Sequence, residues 1–282
     1  MSDPTDTIEI HIPIDHDRLT AVDALSAETG LSRQAIKQAM NKGAVWLSRA
    51  THTQRLRRAS KALKPGDELH LYYNPTVLAM QTEKAQLIAD EGDYSVWYKP
   101  SGMLSQGSKW GDHCTIGRWV EQHIQPQRPA FVVHRLDRAA SGLVLIAHGK
   151  KVAAALSKLF QHHQIEKHYA AIVQGQFPTP PTVTTINADI DAKPAVSHIR
   201  LVEYDANQDC SLLDVEIETG RKHQIRKHLS GEGFPILGDR LYNPSENHSL
   251  DLQLTAISLS FTCPLTGAMH HYELEQSMRP QL

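Results

Sequence analysis

A chain of 282 residues is long enough for two domains, at least one of them with a full hydrophobic core. Its net charge of −2 excludes a globally basic nucleic-acid binder, although charge segregated along a neutral chain can still build a partner surface. Cys114, Cys210 and Cys263 lie far apart with no CxxC pair, which suggests neither a zinc site nor a disulfide framework and suits a reducing compartment.

The N-terminus, MSDPTDTIEI, has no basic region followed by an apolar core, and no apolar run approaches the roughly 20 residues of a membrane helix. The expectation is a cytoplasmic protein with no membrane partner. Residues 29–66 carry nine basic side chains, Arg33, Lys37, Lys42, Arg49, Arg55, Arg57, Arg58, Lys61 and Lys64, and no Asp or Glu. Within this stretch LSRQAIKQAM places Leu31, Ala35, Ile36 and Ala39 at helical spacing, and Asn41 and Gly43 stop the helix. AVWLS then predicts a short strand, and KPGDELHLYY a turn followed by an alternating strand. We expect a small basic α/β domain over 1–75, a linker of mixed composition over 76–92, and a second domain over 93–282.

In the second domain YSVWYKPSG, FVV, LVLIA, KHYAAIVQG, HIRLVEY, LLDVEIE and LDLQLTAISLSF predict strands. In LLDVEIE, Leu213, Val215 and Ile217 alternate with Asp214, Glu216 and Glu218, the pattern of a sheet with one wet face. The eight carboxylates between Asp189 and Glu218 fit the same wet face. Helices intervene irregularly, over 150–161 and from near Arg221. Strand and helix do not alternate strictly, so the fold class expected is α+β with a mixed, mainly antiparallel central sheet.

The loop HRLDRAASG, residues 134–142, is held at both ends by apolar strands, FVV and LVLIA. A carboxylate fixed in this way, Asp137, can serve as a nucleophile or general base; the plainer alternative is a turn-capping Asp paired with a neighbouring Arg. Some 80 residues on, ETGRKHQIRKHL begins a basic helix where a strand ends, and Arg221 at its start can point back into a cleft toward Asp137, or else contact phosphate at the surface. Such a guanidinium would keep the acid ionised and orient one oxygen for attack. Tyr169 sits on the strand of IEKHYAAIVQG, where a tyrosine is most simply a core or sheet-face residue, while WYKPSG and GDRLYN read as turn punctuation. His162, His163 and His168, and the pair His270 and His271, lack the spacing of a metal site.

YKPSG, HRLDRAASGL, EKHYAAIVQG and TGRKHQIRKHLSGEGFPILGD, in this order, resemble the RluA-type pseudouridine synthases over residues 93–261. The basic N-terminal unit looks like the small RNA-binding domain, named for a ribosomal small-subunit protein, that often precedes that catalytic domain. The resemblance implies the pseudouridine synthase fold and RNA as partner, with ribosomal RNA favoured and transfer RNA possible. The reaction so implied requires no cofactor and no metal, and a monomer is the default expectation. The resemblance further implies Asp137 as the nucleophile that isomerises uridine, Arg135 filling the gap left by a flipped base, Tyr169 against the uracil and assisting proton removal, and Arg221 paired with Asp137. Ala140 stands where the family usually has Thr, Thr255 where His is common, and MLSQGSKWGD replaces an apolar-His-Pro continuation. A non-catalytic RNA-binding or ribosome-assembly factor on the same fold is the alternative, and retention of Asp137, Tyr169 and Arg221 together argues against it. An aspartate-nucleophile hydrolase would want a second carboxylate or a metal, and neither is evident.

Overall fold

The structure, a computed structural model, describes residues 6–15, 20–179, 183–243 and 250–282. The chain forms two units, Met1–Thr82 with Gln106–Trp119, and Glu83–Ser105 with Val120–Leu282. This differs from the expected division at 1–75, 76–92 and 93–282. The segment expected as linker carries a short helix and an edge strand of the large sheet, and an excursion from the second domain folds with the first.

In the first unit β1 (Ile8–Pro13), α1 (Ala21–Thr29), α2 (Arg33–Asn41), β2 (Val45–Arg49), β3 (His52–Arg55), β4 (Asp67–Tyr73) and α3 (Pro75–Ala79) follow in order. The antiparallel sheet has the order β1-β4-β2-β3. Leu25, Ile36 and Met40 of the helices bury against Val45, Leu47, Leu69 and Leu71 of the strands, the apolar halves of the two periodicities. The side chains of Thr20, Ser32 and Asn74 accept from backbone N–H groups of Asp23, Ala35 and Val77, so each helix starts on a side-chain cap. The basic run takes its counter-charges from outside itself. Arg33 pairs with Asp23, Arg49 with Asp67 at 2.6 Å, and both Arg57 (2.5 Å) and Arg55 (3.1 Å) with Asp112. Lys37, Arg58, Lys61 and Lys64 remain exposed.

In the second unit β5 (Gln86–Asp90) and β6 (Tyr94–Lys99) precede the excursion, and α4 (Ile116–His123) brings the chain back from it. There follow β7 (Phe131–Val132), β8 (Ser141–Ala147), α5 (Lys150–Gln161), β9 (Glu166–Gln174), β10 (Thr184–Asn187), β11 (Val196–Asp205), β12 (Cys210–Ile217), α6 (Gln224–Gly231), β13 (Leu254–Thr262) and β14 (Met269–Glu273). Ten strands make one sheet with the path β10-β11-β12-β9-β13-β8-β6-β5, β14 pairing with β13 and β7 with β8. Only the β13/β8 contact is parallel among the described pairings, so the sheet is mixed and mainly antiparallel as the sequence predicts. At that contact Gly142 has φ +116°, and a Cβ there would lie 2.3 Å from the Ala256 carbonyl oxygen; only glycine permits the approach. Ile225 and Leu229 of α6 pack against Val215 and Ile217 of β12, which fixes the helix over the sheet. No helix among the described residues is long and apolar enough to cross a membrane.

Candidate active site

The loop 134–140 is clamped from one side by the chain that leaves β6. Lys99, fully buried, donates from Nζ to the carbonyls of Ala140 (2.6 Å), Pro100 (2.9 Å) and Met103 (2.9 Å). Three acceptors use the full donor complement of an ammonium. Burial draws its pKa down to about 7 against the attraction of Asp137. Ser105 Oγ donates to the Leu136 carbonyl at 2.7 Å and accepts the Leu136 N–H at 3.0 Å, Ser101 Oγ donates to Ala139, and the Gly102 N–H donates to the Arg138 carbonyl. The turn after β6 is therefore the mould that aims Asp137, a larger role than the punctuation its sequence suggests.

The partner of Asp137 is Arg226, not Arg221. Arg226 Nη1 donates to Asp137 Oδ2 at 3.3 Å, while its Nε and Nη2 form a bidentate pair with Asp239 at 2.7 Å each. Arg226 is 5% exposed and Asp239 1%. Burial opposes ionisation of Asp239, but the guanidinium and the N–H groups of Leu241 and Tyr242 hold its carboxyl below the usual range. The Tyr242 ring lies 5.1 Å beneath the same guanidinium. Arg221 instead donates from Nε to the Pro194 carbonyl at 3.0 Å.

The reason is the phase of α6. Sequence periodicity started this helix near Arg221, whereas it starts at Gln224. Gln224, 3% exposed, accepts from Thr219 Oγ1 and from the Arg221 N–H, and donates to the Val196 carbonyl and Ser197 Oγ. Those four bonds hold residues 221–223 as a turn, with His223 at φ 57°. The phase carries Arg226 inward. Its signal in the sequence was HQIRKH itself, an Arg adjacent to the inward Ile225, and for Asp239 the acid of GDRLYN.

Arg135, Asp137, Tyr169 and Arg221 all line one cavity of about 300 Å³, together with His223 and Arg226. Arg135 is exposed at its mouth, and Asp137 is half-buried. His223 Nε2 lies 3.7 Å from Asp137 Oδ1, and its Nδ1 is 2.9 Å from the Tyr242 hydroxyl. Burial foremost, with Arg226 and Lys222 adding, lowers the His223 pKa despite Asp137, so the imidazole is neutral near pH 7. Burial, and then the charge of Asp137, pushes the Tyr169 phenol well above its ordinary range. Its hydroxyl is therefore protonated, and its ring face is what the cavity offers.

His168 hydrogen-bonds Asp214 and Glu166, and His271 pairs with Ser260 Oγ and Glu273. Among the described residues one group, His11, Glu68 and His70 on the first unit's sheet, brings three ligand-type atoms within 4.8 Å of one another.

Residues 93–231 match the family model described as RNA pseudouridylate synthase. An uncharacterized RNA pseudouridine synthase of Chloroflexus aurantiacus is 33% identical over 77% of this chain and 73% of its own length. The chain belongs to the RNA pseudouridine synthase family. Its reaction is the isomerisation of uridine to pseudouridine in RNA. Other similar proteins are the ribosomal large subunit pseudouridine synthase D of Zymomonas mobilis, 29% identical over 70% of this chain and 71% of that protein, and the tRNA pseudouridine synthase C of Haemophilus ducreyi, 31% identical over 60% and 81%. The human RNA pseudouridylate synthase domain containing 1 shares the fold, with a TM-score of 0.59 and 20% identity over 71% of this chain and 88% of that one.

In this synthase the two departures near the loop have local accommodations. Ala140 is 3% exposed and joins the apolar cluster of Ile217, Ile225 and Leu254, so no hydroxyl is wanted there. Thr255 Oγ1 meets Ser141 Oγ at 2.8 Å, a buried pair that satisfies both hydroxyls across the parallel strands.

Proposed function

We propose that Asp137 is the nucleophile of the isomerisation and that the target uridine reaches it by flipping out of the RNA. What supports this is the single observation that, among the described residues, Asp137 alone supplies a carboxylate to a cavity otherwise lined by cations, a histidine, a glutamine, a tyrosine and apolar residues. The reaction breaks the bond from ribose to N1, rebonds the same ring through C5, and releases the C5 proton while N1 takes one up, with no change of redox state. Arg226 orients Asp137, and Tyr169 offers a stacking face worth about 1–3 kcal/mol against the few kcal/mol spent in unstacking. A phenolate able to take the ring proton would have to form against burial, so stacking is the role assigned to Tyr169. Arg135 at the mouth fills the gap left in the RNA, and Arg221 faces substrate rather than Asp137.

The first unit is read as an RNA-binding domain like that of a ribosomal small-subunit protein, with Lys37, Arg58, Lys61 and Lys64 free to meet phosphates. An appended domain of this kind favours ribosomal RNA over transfer RNA as substrate. The test is tritium release from cellular RNA labelled at C5 of uracil. Wild type releases tritium and Asp137→Asn does not, while both bind the RNA equally; equal release by the two overturns the assignment.

A further inference from the structure

A second cavity, of about 400 Å³, opens directly beyond the first and shares Arg135, Tyr169 and Arg221 with it. Among the described residues no carboxylate lines it. At its wall is Lys167, two residues before Tyr169 on β9 and so on the same side of the strand. Lys167 is 6% exposed, and among the described residues no hydrogen-bond acceptor or ion-pair partner meets its ammonium. Burial lowers its pKa, and Glu216 offsets this only as a more distant charge. The neighbouring His134 stacks on Phe160 with centroids 4.2 Å apart and accepts the Leu145 N–H at Nε2. That bond leaves the proton of the neutral ring on Nδ1, so His134 adds a donor and no negative charge.

The stem of Lys167 is packed away while its ammonium borders the cavity. A chain that places an ammonium beside its reaction cavity, among two guanidiniums and no acid, has built a receptor for an anion. We propose that Lys167, with Arg221, forms a phosphate subsite that grips an RNA backbone phosphodiester next to the nucleotide whose base enters the Asp137 cavity. This rests on the reading of that cavity as the uridine site. Nearest-neighbour phosphates are the one anion that must accompany every RNA base into such a place. Held there, the phosphodiester would fix the ribose against Asp137 and compensate Lys167 at the same time.

The experiment compares wild type, Lys167→Met and Lys167→Arg. Binding of a fluorescein-labelled oligouridylate is followed against salt, tritium release gives KM and kcat on cellular RNA, and thermal unfolding reports the fold. Lys167→Met should weaken binding about tenfold and reduce the salt slope by about 0.7, the signature of one lost phosphate contact on a single strand. It should raise KM with kcat nearly kept, and leave Tm near wild type. Lys167→Arg should restore most of the binding. Unchanged affinity and salt slope in Lys167→Met, with a lowered Tm, would make Lys167 a structural residue and overturn the proposal. Failure of Asp137→Asn to stop turnover would instead strike the uridine site, and would leave the salt slope of Lys167→Met untouched.

Discussion

Arg226 serves two carboxylates at once, and that shared duty decides what its removal does. Its bidentate bonds to Asp239 use Nε and Nη2, leaving Nη1 for Asp137. Arg226→Gln strands one fully buried acid and frees the other to turn. We expect kcat to fall at least about 100-fold and stability by about 3 kcal/mol, the usual cost of breaking a buried pair from one side. Arg226→Lys should recover little, because a single ammonium cannot span the fork and the third acceptor together. Arg221→Gln, which loses only a bond to a backbone carbonyl at the cavity rim, should raise KM and leave Tm near wild type. Tritium release at saturating RNA with thermal unfolding separates the two, and a kcat loss in Arg221→Gln matching that in Arg226→Gln would refute the assignment. The sequence exposed Asp137 because its loop lies between two apolar runs, a local pattern. It misplaced the partner because the start of α6 is set by Gln224 reaching Val196 and Ser197, contacts that no spacing within the helix reveals.

At the level of elements, β9 and β12 show how a wet sheet face becomes an electrostatic one. His168 of β9 lies between Asp214 Oδ1 (3.0 Å) and Glu166 Oε1 (3.1 Å), and Asp214 also receives Arg200 Nη2 at 2.7 Å. The hydrogen bond to Asp214, then that to Glu166, carries the imidazole pKa up to about 9 against burial. A folded-state pKa above the ordinary histidine value near 6.5 means stabilisation that is complete below pH 6.5 and lost as pH rises through 9. Relative to His168→Gln, the wild type should therefore lose on the order of 1–2 kcal/mol of stability to urea between those pH values, allowing for an imidazole partly open to solvent. His168→Gln carries the slopes that other groups, Lys99 among them, add to both proteins, and lacks only this one. An equal slope in the variant would place the pH dependence elsewhere. The alternation in LLDVEIE made this face visible in the sequence, since Asp214 and Glu216 had to point away from Leu213 and Val215. What stayed hidden was its pairing, because a histidine next to a tyrosine says nothing of which strand lies beside it. The short strands β5, β10 and β14 were missed for the same reason: each exists through a neighbour rather than through its own periodicity.

Across the whole molecule, the least legible feature is the composition of the first unit. The nine basic residues of 29–66 looked like an unopposed patch, because the carboxylate that meets two of them, Asp112, is more than 50 positions away in the excursion 106–119. Asp112 and the guanidiniums of Arg55 and Arg57 are each no more than a quarter exposed, so the cluster is sheltered from screening by solvent. Arg57 also donates to the Asn41 carbonyl, and Arg55 lies 4.2 Å over the Trp46 ring; the acid therefore ties the end of α2 and the β2-β3 hairpin to one point. Asp112→Ala would leave two neighbouring cations facing each other with their anion gone. The expected loss is about 2 kcal/mol, confined to this unit. Amide hydrogen exchange reads it directly: protection in β2 and β3 should fall by roughly that amount, while amides of β9 and β12 keep theirs. A uniform loss over both sets of strands would mean that Asp112 supports the fold as one cooperative block. No change in β2 and β3 would mean that Arg55 and Arg57 are held by their backbone and aromatic contacts alone.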